Sequence, residues 1–341
     1  MKTIGINGIA GRIGKFTAYE LVKLGEVIGA VNDLASTDAI VKALHHVDGV
    51  HGKLEWGVAK VNDENLMING HKVRVYHEAD PANIEWGKDV YAVAECTGRF
   101  IQKEDAEKHF NKSPKLEDVV ISAPGKGDIK MLVMGINHTD YEKGDRVTSN
   151  ASCTTKALAM PIKVLMDADI DIYGVLMDTT HAATNTSKPL DFMSEYGVLD
   201  NIISAKTGAA IATGKVIPSL EGKMDGFAMR VPTRDGSFAN IYLVAEADNL
   251  SVEYLNGIFE SAAENPDYCN RIQVFDGKEI ASADIIGNIS SSVIALSKTK
   301  SIALNPAHTF ALVGIVSGYD NERGPAKDLA LLTQYIAGVG K

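Results

Sequence analysis

Cysteine, positive charge and long apolar runs are all scarce in this chain, and each shortage excludes something. The three cysteines, Cys96, Cys153 and Cys269, are too few and too scattered for a disulfide framework or a zinc site. No metal is expected. There are 34 Lys and Arg against 44 Asp and Glu, a formal net charge of -10. An acidic surface argues against non-specific binding to nucleic acid or to an anionic membrane. No apolar stretch is long enough to span a bilayer. The opening "MKTIGING" runs straight into strand-like sequence, so no signal peptide is expected and a cytoplasmic location is the simplest reading. No internal repeat or low-complexity segment stands out.

What remains is an ordinary globular composition, 45% apolar and 23% charged over 341 residues, enough for about two domains. "TIGIN" alternates like a strand and is followed by Gly8, Gly11 and Gly14. From Ile13 the apolar residues Phe16, Leu21 and Leu24 recur at roughly helical spacing, and Gly25 stops the run. "VIGAVND" is a short buried strand ending in Asp33, about twenty residues beyond the glycines. A dinucleotide site asks for that β-turn-α-β order. The glycines let backbone approach a pyrophosphate at a helix N-terminus. Asp33 can accept from ribose hydroxyls and repels a 2′-phosphate, so NAD is favoured over NADP. The spacing is G-x-x-G-x-x-G rather than G-x-G-x-x-G. "MINGHKVRVYH" reads as a hairpin across Asn69-Gly70. "VYAVAECTG" and "DVVISAP" read as buried strands, whose carboxyl ends place Thr97, Gly98, Ser122 and Ala123 near the nicotinamide half of the cofactor.

The character changes after residue 150. A helix over about Ser152 to Asp167 leads into longer strands and one further helix, "SVEYLNGIFESAAEN", which reads as an α+β domain with a mixed or antiparallel sheet. The expected organisation is α/β. A Rossmann-type NAD-binding domain covers 1–151, a catalytic domain covers 152–321, and a C-terminal helix over 322–341 packs back on the first domain. In "TSNASCTTKALAMP", Ser152 is a candidate N-cap and Cys153 falls in the first helical turn, where the dipole favours thiolate. Pro161 should kink this helix. His181, in "MDTTHAATN", is a candidate base, because thiol activation requires a Cys/His pair. Each residue taken alone has a structural reading, a buried thiol or a hydrogen-bonded core histidine. Arg230, Thr154, Thr184, Thr207 and the backbone of Gly208 are candidate oxyanion or phosphate donors.

These segments, with "AVNDLAS", "AECTGRF", "SNASCTT", "HAATN", "KTGAAIATGKVIPSLEGKMDGFAMRVPT" and "GYDNERG", together resemble the glyceraldehyde-3-phosphate dehydrogenase family from end to end. The resemblance implies Cys153 as nucleophile and His181 as the group that activates its thiol and moves the proton. It implies Arg12 and Ile13 against the cofactor pyrophosphate, Asp33 on the adenosine ribose, and Ser122 and Asn321 near the nicotinamide. Ser152, Thr154, Thr184, Thr207, Gly208 and Arg230 match positions that hold the substrate phosphate and the attacking inorganic phosphate. The implied reaction is NAD-dependent phosphorylating oxidation of glyceraldehyde 3-phosphate, a step of glycolysis and gluconeogenesis, by a homotetramer.

The chain departs from the family in several places. The glycine turn is one residue longer. Ala79 stands where an arginine usually lies beside the adenine. Lys156 replaces an asparagine, Ala157 a frequent second cysteine, and Arg323 an aromatic residue. The loop between His181 and Thr207 is shorter and lacks paired arginines. Lys206, or failing that Lys188, is the expected substitute for the missing charge, and Lys156 is expected to favour the Cys153 thiolate. Alternative readings are oxidation of another phosphorylated aldehyde such as erythrose 4-phosphate, an acyl-phosphate reductase of the aspartate-semialdehyde type, or a non-catalytic NAD-binding redox sensor.

Overall fold

Strand β1 (Thr3–Asn7) is buried on both faces, as a strand inside a parallel sheet must be. Its chain then turns at Gly8, whose φ of +82° suits glycine, into helix α1 (Arg12–Lys23). The computed structural model describes residues 2–184, 187–191 and 195–338. It divides into two units, the first from the described residues of Met1–Val133, His138–Ser152 and Pro325–Lys341, the second from Met134–Asn137 and Cys153–Gly324.

In the first unit, β2 (Ile28–Asn32) and α2 (Thr37–His45) follow α1. Then come β3 (Val58–Asn62), β4 (Asn65–Ile68) and β5 (His71–Tyr76). Asn69 and Gly70 both have positive φ and make the two-residue turn between β4 and β5 that their sequence announced. β6 (Val90–Glu95), α3 (Lys103–Glu107), β7 (Asp118–Ile121), β8 (Lys130–Met131) and β9 (Val147–Ser149) complete a nine-stranded sheet ordered β3-β4-β5-β2-β1-β6-β7-β9-β8. All neighbours from β5 onward in that order are parallel. The order reverses between β1 and β6, which opens a crevice at the carboxyl ends of β1, β2 and β6. This is the α/β, Rossmann-type arrangement expected.

The second unit begins with α4 (Cys153–Asp167), which contains Pro161 and is buried over most of its length. Strands β10 (Asp171–Ala182), β11 (Ile203–Lys206), β12 (Met224–Val231) and β13 (Ser237–Glu246) follow, with α5 (Ala209–Val216) between β11 and β12. After α6 (Val252–Glu264) come β14 (Ile272–Phe275), α7 (Ser282–Ile285), β15 (Ser292–Ala295), β16 (Lys300–Ala303) and β17 (Phe310–Tyr319). The strands form a mixed sheet ordered β11-β12-β10-β13-β17-β15-β14, with β16 paired to β17. Period-two alternation divides its faces. Met177, Thr179 and His181 of β10 point inward with Ala239 and Ile241 of β13, while Leu176 and Tyr242, paired in register, are exposed on the outer face.

Helix α8 (Arg323–Gly338) joins the first unit from Pro325 onward. There Ala326 packs with Phe16 and Leu54, and the Lys327 ammonium stands 3.3 Å from the Glu20 carboxylate. The expected last residues of this helix, 339–341, lie outside the described residues.

Candidate active site

The first unit's crevice is a cleft of about 390 Å³ lined by Asn7, Gly8, Ala10, Gly11, Asn32, Asp33, Leu34, Glu78, Ala79, Cys96, Thr97, Arg99 and Phe100. A Cβ built on Gly14 would stand 2.0 Å from the Gly8 carbonyl oxygen, so only glycine lets α1 begin this close to the turn. No side chain caps α1. Asp33 holds the extra-long turn in shape. Its Oδ2 accepts from the Ala10 N–H (2.9 Å) and its Oδ1 from the Ala35 N–H (3.0 Å).

Of the residues expected here, Gly8, Gly11, Asp33 and Thr97 line the cleft, while Arg12, Ile13 and Ser122 do not. The Arg12 guanidinium is ion-paired with Asp48 at 2.9 Å. Burial pushes the Asp48 carboxyl up. The N–H groups of His51 and Val50, with Arg12, more than offset this and hold it well below the usual range. Ala79 lines the cleft, as its place in the sequence suggested.

Beneath the cleft lies a buried polar network that sequence reasoning missed. Glu95 Oε2 accepts from Asn7 Nδ2 (2.5 Å) and faces His109 Nε2 (3.0 Å), and Glu95 Oε1 accepts from the Thr97 N–H (2.7 Å). The Trp86 indole donates to His109 Nδ1 (3.1 Å), which leaves the ring proton on Nε2, facing Glu95. Asn32 Nδ2 donates to Asn7 Oδ1 (2.7 Å). The ends of β1, β2 and β6 are thereby tied to one carboxylate. Cys96 borders this network, and burial with the Glu95 charge pushes its thiol up, away from reactivity.

In the second unit, Cys153 opens α4 and His181 lies near the end of β10. Cys153 Sγ is 3.6 Å from His181 Nε2 and 3.9 Å from Thr154 Oγ1. Burial pushes this thiol up. Hydrogen bonding to His181 is the chief offset, and with nearby positive charge, that of Lys156 included, it holds Cys153 below its ordinary value. Arg230 of β12 is opposite His181 in register, and its Nη1 reaches both His181 Nδ1 and the Ala182 carbonyl oxygen (3.0 Å). Asn321 is held from two sides. Ser237 Oγ donates to its Oδ1 (3.0 Å), and its N–H donates to Asp235 Oδ1 (3.1 Å). The same Ser237 oxygen accepts from the Ala182 N–H (3.0 Å), which links Asn321 to the strand bearing His181.

The chain matches two family models. "Glyceraldehyde 3-phosphate dehydrogenase, NAD binding domain" covers residues 2–103, and "Glyceraldehyde 3-phosphate dehydrogenase, C-terminal domain" covers residues 152–321. The chain belongs to the glyceraldehyde-3-phosphate dehydrogenase family. It is similar to the glyceraldehyde-3-phosphate dehydrogenases of Bacteroides fragilis (38% identical, 99% of each chain), Priestia megaterium (38%, 99% of this chain and 98% of the relative) and Phytophthora infestans (40%, 98% of each). Family membership thus extends over nearly the whole chain.

Within this family member, Thr207 and Gly208 stand at the N-terminus of α5, with Thr207 Oγ1 accepting from the Ala209 N–H (3.2 Å). Thr184 turns back on Ser187 (3.2 Å, N–H to Oγ), and Ser152 immediately precedes α4. Lys206 does not meet its expectation. It pairs with Phe227, whose neighbour on β10 is Asp178, so it lies on the outer face of the sheet, opposite the face bearing Arg230 and His181. Lys188 is ion-paired with Glu195 at 2.7 Å. Lys156 is 1% exposed, inside α4.

Tyr319 is a second omission of the sequence reading. Its buried hydroxyl is 3.0 Å from Thr154 Oγ1 and 2.7 Å from Thr179 Oγ1, and its ring meets His181 edge-on at 5.9 Å. Its place two residues before Asn321, in "GYDNE", was the available signal.

Proposed function

We propose that this protein oxidises glyceraldehyde 3-phosphate with NAD and inorganic phosphate through a thioester on Cys153. The observation that carries the reading is the 3.6 Å contact between Cys153 Sγ and His181 Nε2, in a thiol held below its ordinary pKa. The thiolate adds to the aldehyde carbon and gives a hemithioacetal. His181 takes the hydroxyl proton as the carbon is oxidised, and the thioester results. Inorganic phosphate attacks that thioester and releases the acyl phosphate, 1,3-bisphosphoglycerate, with return of the thiolate. Arg230, with Ser152, Thr154, Thr184, Thr207 and Gly208, holds the two phosphate groups.

The residues of the first unit fit NAD. The Gly8–Gly14 turn leaves no room for a side chain at Gly14, and Asp33 presents a fixed carboxylate at the end of β2. NAD bound there supplies the hydride acceptor. Gly8, Gly11, Arg12 and Ile13 would face its pyrophosphate with backbone groups, and Thr97, Ser122 and Asn321 its nicotinamide end.

We further propose a homotetramer. The outer face of the second unit's sheet supports it, since Leu176, Phe227, Tyr242, Ile302 and Leu312 are all exposed there. Among the described residues, no helix is long and apolar enough to cross a membrane.

The test is NADH formation from glyceraldehyde 3-phosphate during a phosphate titration, beside erythrose 4-phosphate and unphosphorylated glyceraldehyde. Saturable dependence on phosphate and abolition by Cys153→Ser are expected. Absence of NADH at every phosphate concentration, or turnover surviving in Cys153→Ser, would overturn the reading.

A further inference from the structure

His181 Nδ1 has two neighbours that make opposite demands on it. The Ala182 carbonyl oxygen is 2.7 Å away, and an acceptor at that distance asks for a proton on Nδ1. Nη1 of Arg230 is 2.5 Å from the same nitrogen. A guanidinium is a donor only and keeps its protons, so it asks for a bare Nδ1. The two contacts cannot be satisfied together. While Arg230 stays, the ring proton belongs on Nε2, facing Cys153 Sγ. In that tautomer Nε2 has no lone pair with which to accept a proton.

We infer that Arg230 sets the tautomer of His181, and that a phosphate group drawing Arg230 away switches the imidazole into its basic form. This rests on the proposed role of Arg230 as a phosphate anchor. The register that puts Arg230 directly opposite His181 makes the contact a property of the sheet. The Ala182 carbonyl already stands where the released Nδ1–H needs it. The proton balance is simple. Nδ1 takes a proton from solvent, Nε2 returns one, and the bare Nε2 then accepts the Cys153 proton to give a thiolate–imidazolium pair. No other bond changes. Among the described residues, the other recorded contacts of the ring are with Cys153 Sγ of α4, through Nε2, and with the Tyr319 ring of β17. Such a switch would favour phosphorylated aldehydes in kcat as well as in KM, because an unphosphorylated aldehyde leaves Arg230 in place.

The test uses full-length protein labelled with 15N-histidine, with the His181 signals assigned by their loss in His181→Asn. Inorganic phosphate is the probe. Without phosphate, Nε2 should be protonated and Nδ1 bare; saturating phosphate should move the proton to Nδ1. In Arg230→Met, Nδ1 should carry the proton throughout and phosphate should have no effect. Arg230→Gln gives the same readout if the methionine variant does not fold. A wild type with Nδ1 protonated before phosphate is added, or an equal phosphate response in the Arg230 variants, overturns the inference. A tautomer response in a protein that makes no NADH from glyceraldehyde 3-phosphate would instead overturn the proposed reaction and leave the switch standing.

Discussion

Replacing Tyr319 with phenylalanine removes one buried oxygen, and the consequences follow from where the protons point. Thr179 Oγ1 donates to the Phe238 carbonyl oxygen (3.0 Å), so across its 2.7 Å contact with Tyr319 it can only accept. The phenol proton is therefore committed to Thr179, and Tyr319 accepts from Thr154 at 3.0 Å. The Thr154 proton thus points to Tyr319 rather than to Cys153 Sγ, 3.9 Å away. Tyr319→Phe deletes two neutral hydrogen bonds, and at about 1 kcal/mol each the fold should lose about 2 kcal/mol. Thr154 is left with the thiolate as its partner. A hydrogen bond to a charged group exceeds a neutral one by about 1 kcal/mol, or somewhat under one pKa unit. The Cys153 midpoint should move to lower pH by about that amount. The assays are iodoacetamide alkylation as a function of pH, and urea unfolding for the stability term. A midpoint that stayed put or moved up would refute the proton directions assigned here.

Other substitutions test other parts of the site. His181→Asn removes the main influences holding the thiol down and leaves burial, so Cys153 alkylation at pH 7 should slow by at least about tenfold, with kcat down by about 10²–10⁴. Asp33→Ala frees the turn at Ala10 and Ala35 and removes the proposed ribose acceptor; KM for NAD should rise about 10- to 100-fold and discrimination against NADP should relax, both read from initial rates. Burial pushes the Asp118 carboxyl up to about 6, in spite of a 2.7 Å hydrogen bond from Tyr141. A raised acid binds more protons folded than unfolded between about pH 4 and 6, so stability falls as pH rises through that window. Asp118→Asn should therefore melt higher than wild type at pH 8 and show a flatter dependence of Tm on pH. Leu176→Asp, on the exposed outer face of the sheet, should lower the oligomeric mass measured by light scattering without unfolding the subunit.

The Rossmann half was legible because its signals are local. A turn that needs positive φ, a glycine against a helix start, and an acid at the end of the next strand all fall within Gly8 to Asp33. The proposed nucleophile was legible for the same reason, since Cys153 and the first turn of α4 are neighbours in the chain. The Lys206 expectation failed on strand parity. Proximity to Thr207 and Gly208 suggested a phosphate ligand, but alternation along β11 turns Lys206 to the outer face with Phe227. Arg12 was placed beside the pyrophosphate without any sign that Asp48 would hold its guanidinium.

The sequence by itself determined the family, the glycine turn of the NAD-binding domain, and which thiol and histidine to propose as nucleophile and base, because these reside in residue types at short spacing. Only tertiary structure decided what surrounds them. Tyr319 lies 165 residues from Thr154, and His109 meets Glu95 and Trp86 from a separate element. Sheet register puts Arg230 opposite His181. Hydrogen-bond direction in such clusters depends on which donors are already committed, and that is a property of packed neighbours, not of any segment read alone.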